Sequence, residues 1–243
     1  MEATKERLTI ESGSRFIGKT FLYMLLALLL TAVVGVGVGL IFQYLFKSAS
    51  VDETLGQYAL IYFAVLIVSV ISLLVIGIWF NISAIRGKHS LVVPFTLYAF
   101  FMGLLMSFFV LFVDVQTLGL AFGITTVAFG SMTAIGLISK RNLGFLTIVV
   151  LGLFIGVLVL SLMNLIFYFF VPALFAINYL IIEGLIFLII MLVTIIDVWQ
   201  MKKIAESGEA NNNLALFCAF RLYIDFIQLL IRVIYILLLA KRR

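Results

Sequence analysis

Residues 177–201, INYLIIEGLIFLIIMLVTIIDVWQM, and residues 214–240, LALFCAFRLYIDFIQLLIRVIYILLLA, are long apolar runs joined by a short polar connection. About 20 apolar residues suffice to cross the roughly 30 Å hydrocarbon core of a bilayer, so the pair reads as two helices of a membrane hairpin. Each run encloses a carboxylate, Asp197 in the first and Asp225 in the second. A carboxylate at the centre of a membrane helix costs roughly 2.5–3.5 kcal/mol on insertion scales, and is retained where it is paired, hydrated or used. Two of them on consecutive helices mark a candidate functional site.

The same ruler applied outward finds five more spans, at 16–46, 57–81, 91–112, 115–138 and 143–171. The expected fold is an all-α integral membrane protein with seven transmembrane helices, consecutive helices being antiparallel neighbours because the connections are short. Residues 1–15 form a polar N-terminal segment, 16–240 one transmembrane domain and 241–243 a basic tail. Composition agrees: 65% of the 243 residues are hydrophobic and 11% charged, with mean hydropathy +1.31, far outside the range of soluble domains. The first apolar run is too long for a signal-peptide core, so it is expected to stay uncleaved and to serve as its own targeting signal.

A net charge of +5 would suggest nucleic acid in a soluble protein, but here the cations cluster between spans and set topology. With seven crossings, the N-terminal segment and the connections after helices 2, 4 and 6 share one side, and that side carries ten lysines and arginines. The opposite connections hold Lys47 with Asp52, Glu53 and Asp114, so the N-terminus is expected in the cytoplasm. Lys241-Arg242-Arg243 disagrees with that arrangement; the alternative is a re-entrant seventh segment, which buried polar surroundings permit. Without long appended domains or sorting signals, the expected host is a bacterial cytoplasmic membrane.

Other motifs carry less. Cys218 stands alone and permits no internal disulfide, and with His89 as the single histidine no Cys/His metal spacing exists; no cofactor is expected. His89 lies in the basic stretch IRGKHS and reads as solvated. GVGVG at 35–39 lies within a membrane span with no preceding strand, which argues against a nucleotide loop. Gly35 and Gly39, Gly119 and Gly123, and Gly152 and Gly156 have GxxxG spacing and are expected to mark helix-packing faces.

The aspartates are centred on position 211, inside the connection AESGEANNN, so a symmetric hairpin brings them to about the same depth. Two carboxylates a few ångströms apart in low dielectric cannot both ionise cheaply and tend to share one proton. Such a pair is a proton switch: with the proton it closes on itself, and without it the two charges repel and attract a cation. Ca2+ suits oxygen ligands of this kind, although it needs backbone carbonyls or water to complete 6–8 of them. The competing reading makes each aspartate a structural ion-pair partner. Arg221, four residues before Asp225, and Arg232, seven after it, share nearly its helical face. Asp197 has no basic residue near it on its own helix before Lys202, which makes it the better functional candidate. Glu183 is nearly on the face of Asp197, about 21 Å along the helix, and reads either as an interfacial residue or as a second stage in an ion or proton path. Asn164 and Asn178 read as polar glue between helices.

The stretch RLYIDFIQLLIRVIYILL at 221–238 resembles the last helix of the Bax inhibitor-1 (TMBIM) family, with its approximate signature LYLDFINLFLxLLR. IIDVWQMKKI at 195–204 is similar to the family's preceding motif, YDxxQIK, with Asp197 and Gln200 at the matching places. AFGITTVAFGSMTAIGLISKRNLGFL at 121–146 resembles the upstream AFxxTxxxFxxLSxxGxxTKRDLSFL. The resemblance covers nearly the whole chain, with the motifs in order. It implies a seven-helix bundle with the last helix central and, for bacterial members, a pH-sensitive calcium leak. In that scheme Asp197 and Asp225 are the proton sensor and Arg86, in SAIRGKH, is a latch. Three departures stand out. Ile196 replaces a tyrosine, Asn142 replaces the aspartate of KRD and removes a capping or ion-pairing charge, and Arg221 introduces a guanidinium that can stabilise the charged form of Asp225.

The leading expectation is therefore a proton-gated leak for a cation, Ca2+ by donor chemistry, with Ca2+, protons and the bilayer as partners and no nucleic acid. Proton-coupled cation exchange using Asp197, Asp225 and Glu183 is a second reading. A regulator that binds a membrane protease or cell-death protein is a third. Catalysis is not expected: no H-E-x-x-H, G-x-S-x-G or P-loop occurs, and the second aspartate sits in Leu222-Tyr223-Ile224-Asp225 rather than in the Gly-x-Gly-Asp of intramembrane aspartyl proteases.

Overall fold

A computed structural model describes residues 2–48, 52–86, 90–208 and 211–241, without side-chain placement for 2–12, 52–54, 172, 173 and 176. Seven helices account for nearly all of it: α1 (Glu2–Ser48), α2 (Asp52–Arg86), α3 (Val92–Phe112), α4 (Val115–Ile138), α5 (Gly144–Phe170), α6 (Pro172–Ser207) and α7 (Asn212–Lys241). Every one is long and apolar enough to cross a membrane. The protein is a multi-pass integral membrane protein. The polar segment before residue 16 continues α1 as helix. The 30-residue course of α7 is one continuous helix, about 45 Å at 1.5 Å per residue, which is long enough to cross a bilayer. His89 and Arg242-Arg243 lie outside the described residues.

Short polar residues set the helix ends. Asp114 Oδ2 accepts the Thr117 N–H at 2.9 Å, and Asn211 Oδ1 accepts the Leu214 N–H at 2.8 Å, each satisfying an orphan donor of a first turn. Asn142 Oδ1 accepts the Gly144 N–H at 3.0 Å, so the cap before α5 survives the loss of the expected aspartate charge. Gly208, at φ +78°, ends α6 in the left-handed conformation that glycine adopts without penalty.

The helices pack as two compact units, residues 1–120 with 207–223 and residues 121–206 with 224–243. In the first, α3 packs on α1 and α2. A Cβ on Gly103 would stand 2.7 Å from Val34 Cβ and 2.9 Å from Thr31 O, and one on Gly39 would stand 2.7 Å from Val110 Cβ, so these glycines let α1 and α3 touch backbone to backbone. Thr31 Oγ1 donates to Ala99 O at 3.0 Å and shares a 2.6 Å hydrogen bond with the Tyr223 hydroxyl. Phe80, Phe95 and Phe220 fill the space beside them, Phe80 and Phe220 stacking at 3.9 Å.

In the second unit Gly136 plays the part of Gly103. Its Cβ would lie 2.8 Å from Val198 Cβ and 2.9 Å from Ile195 O, so α4 and α6 meet one residue away from Asp197. Asn178 Nδ2 donates to Leu160 O at 3.0 Å and to Asn164 Oδ1 at 3.2 Å, which makes these asparagines the expected glue, here between α5 and α6. Phe226 of α7 packs on Phe122 and Phe129 of α4.

The GxxxG expectation holds for Gly35 and Gly39 and fails elsewhere. Nothing would lie within 4 Å of a Cβ on Gly119, Gly123, Gly152 or Gly156, so these pairs are not close-packing faces. Gly136→Ala is expected to cost about 1–3 kcal/mol by overpacking. Gly152→Ala should match or slightly exceed the wild type, because alanine is the better helix former. Thermal unfolding in detergent, with both variants side by side, checks the difference.

α7 is the most buried helix: 44% of its most apolar window is buried, against 6% in α5. It contributes residues to both units.

Candidate functional site

Asp197 and Asp225 both belong to the second unit, 6% and 5% exposed. Ile196, Val198 and Trp199 beside Asp197, and Phe226 and Ile227 beside Asp225, are themselves buried, so both carboxylates lie in buried stretches of their helices. A buried carboxylate is costly unless it is hydrogen-bonded, paired or protonated. Asp197 stands ten residues before Ser207, the end of α6, and Asp225 thirteen residues after Asn212, the start of α7. At 1.5 Å per residue these are positions about 15 and 20 Å along their own helices.

The further acid and base of this hairpin form a second station. Arg232 Nη1 donates to Glu183 Oε2 in an ion pair between α7 and α6, with the side chains 28% and 17% exposed. The Tyr179 hydroxyl interacts with both Glu183 and Tyr235, and the Tyr179 and Tyr235 rings stand edge to face at 6.2 Å. Arg232 is therefore committed to Glu183, not to Asp225 as its place on the helical face suggested. Glu183 in turn has Arg232 as its ion-pair partner. Sequence spacing missed this pair because it depends on how α6 and α7 are set against each other. The available signal was that one acid and one base lie in the outer halves of adjacent apolar spans.

The remaining candidates belong to the first unit. Arg221 is half-buried, and its guanidinium carbon lies 6.0 Å from the centre of the Phe217 ring. Arg86 ends α2 and is exposed. Ala84 and Ile85, just before it, line a cavity of about 500 Å3 with Asn211, Asn213 and Phe217 at the start of α7. Cys218 is buried. Among the described residues no group of three or more His, Cys, Asp or Glu side chains converges. A cation at the aspartates would therefore draw most of its ligands from carbonyls or water.

Seven apolar helices with two carboxylates sealed into the last hairpin define a membrane protein built around buried acids. The family model described as Inhibitor of apoptosis-promoting Bax1 matches residues 13–243, and the chain belongs to this Bax inhibitor-1 family. No curated protein matches the chain.

Proposed function

We infer that the protein is a proton-gated cation leak whose sensor is the Asp197/Asp225 pair. The observation that carries this reading is the burial of both carboxylates in one unit of the last hairpin, where two negative charges are hard to hold together. Protonated once, the pair closes; deprotonated, it repels itself and draws in a cation, for which Ca2+ is the candidate cargo by donor chemistry. Raising the pH removes the shared proton, so flux rises with pH. Ca2+ entry into dye-loaded proteoliposomes, followed from acid to alkaline pH, tests this, and a flux indistinguishable from protein-free vesicles at every pH removes the reading.

Arg86 is the proposed latch for the closed state. Its charge at the end of α2 is exposed. Arg86→Gln should raise the flux at acid pH, measured in the same vesicles. An unchanged acid flux removes the latch and leaves the sensor standing.

Proton-coupled exchange would have to use Glu183 while it is paired with Arg232. A regulatory role is favoured by the family description, which names an inhibitor of a death-promoting protein. Recovery of one stable membrane-protein partner by both the wild type and Asp197→Asn would support that role.

A further inference from the structure

At one end of the second unit the connection between α4 and α5 folds against the last turns of α6 and encloses a cavity of about 340 Å3. Lys140, Arg141, Lys202 and Lys203 line it with Trp199, and Glu206 is its one acid. Four cations against one carboxylate leave the cavity about three charges positive.

Its internal bonds hold the shape open. Lys202 Nζ donates to Ser139 O at 3.3 Å and stands 3.9 Å from Glu206, so the single acid is engaged at the cavity's edge. Lys203 lies over the Trp199 ring, 4.1 Å from its centre. Asn142 spends its side-chain oxygen on the Gly144 N–H, which leaves its amide N–H groups as donors on the lining. An aspartate here would cap the helix equally well but cancel a third of the positive charge.

The surroundings are apolar. Ile138 and Phe145, at the two lips of the connection, are 75% and 70% exposed, and α5 beyond them buries Val157 alone among its described side chains. A charged cavity lined by the residues just before an exposed apolar helix suits an amphiphile: an anionic head in the cavity and chains along α5. Basic pockets between membrane helices hold phosphate headgroups in this way.

The geometry points to this cavity as a binding site for an anionic phospholipid, its phosphate held by Lys140, Arg141 and Lys203 and its acyl chains laid along α5 from Phe145. Arginine and lysine supply the charge-assisted donors that a phosphate needs, and Trp199, in the cavity lining, serves as an internal reporter.

Quenching of Trp199 by brominated lipids tests the site, in protein carrying Trp79→Phe so that one tryptophan remains. Reconstituted at equal mole fractions, brominated phosphatidylglycerol should quench several-fold more effectively than brominated phosphatidylcholine. Each cation near an anionic surface is worth about fivefold in binding, so Lys140→Gln and Arg141→Gln should each reduce the preference by about that factor. Asn142→Asp, which keeps the cap, should reduce it comparably. Equal quenching by the two lipids overturns the proposal, as does a preference unchanged in all three variants. Millimolar inorganic phosphate should leave the preference intact; its loss would assign the cavity to a soluble anion and overturn the lipid.

Discussion

Asp197→Asn is expected to flatten the dependence of Ca2+ flux on pH that the proposed proton-gated leak requires. Asparagine matches aspartate in size and hydrogen-bonding reach, so the buried position beside the Gly136 contact remains filled and the fold is preserved. It cannot ionise, so the pair can no longer exchange one shared charge for two repelling ones. A gate that releases a single proton on opening shifts its open-to-closed ratio by at most about tenfold per pH unit. That slope is what the wild type should approach near its transition and what the variant should lack. Asp225→Asn acts in the same direction, although Arg221, one turn earlier on α7, gives Asp225 a different electrostatic starting point. A wild-type slope retained in Asp197→Asn, measured in matched proteoliposomes, would remove Asp197 from the sensor.

The second large effect concerns stability. Arg232→Leu strips the guanidinium from Glu183 and leaves a carboxylate with 17% of its surface exposed inside an apolar helix pair. Breaking a fully buried pair costs about 3–5 kcal/mol, whereas exposed pairs are worth less than about 1 kcal/mol. Partial exposure places this one between them, at about 2–3 kcal/mol. Glu183→Leu combined with Arg232→Leu should recover most of the loss, since two packed apolar residues leave no orphaned charge. Thermal midpoints of the three variants in detergent read this out, and a single variant as stable as the wild type would show the pair to be ornamental. Glu183→Gln should also keep the pH slope of the flux. Loss of that slope would return Glu183 to the proton path and favour exchange over leak.

The seven spans were legible because a bilayer imposes a length and a composition that a sequence displays directly. The boundaries expected at 91–112, 115–138 and 143–171 agree with α3, α4 and α5 to within a residue. Where helices touch was less legible. Gly119 and Gly123 share their spacing with Gly35 and Gly39 yet meet open space, while Gly103 and Gly136 make backbone contacts with no partner glycine four residues away. Spacing shows that a helix can be approached; the neighbour decides whether it is. Arg232 illustrates the same limit for charge. Its position on α7 placed it near Asp225, but the setting of α6 against α7 gave it to Glu183. Burial of Asp197 and Asp225 followed from the apolar runs around them, whereas the basic cavity at Lys140 and Lys202 required the fold, because those residues lie more than sixty positions apart.

In the proposed gate, one proton resides on the Asp197/Asp225 pair in the closed state and leaves when the gate opens. Infrared difference titration of the reconstituted protein detects a protonated carboxyl by its C=O stretch. A band that disappears over the same pH interval in which Ca2+ flux rises, and that is lost or displaced in Asp197→Asn, is the predicted result. No such band at a pH where the flux is low, or a band that titrates outside the interval of opening, would contradict the account.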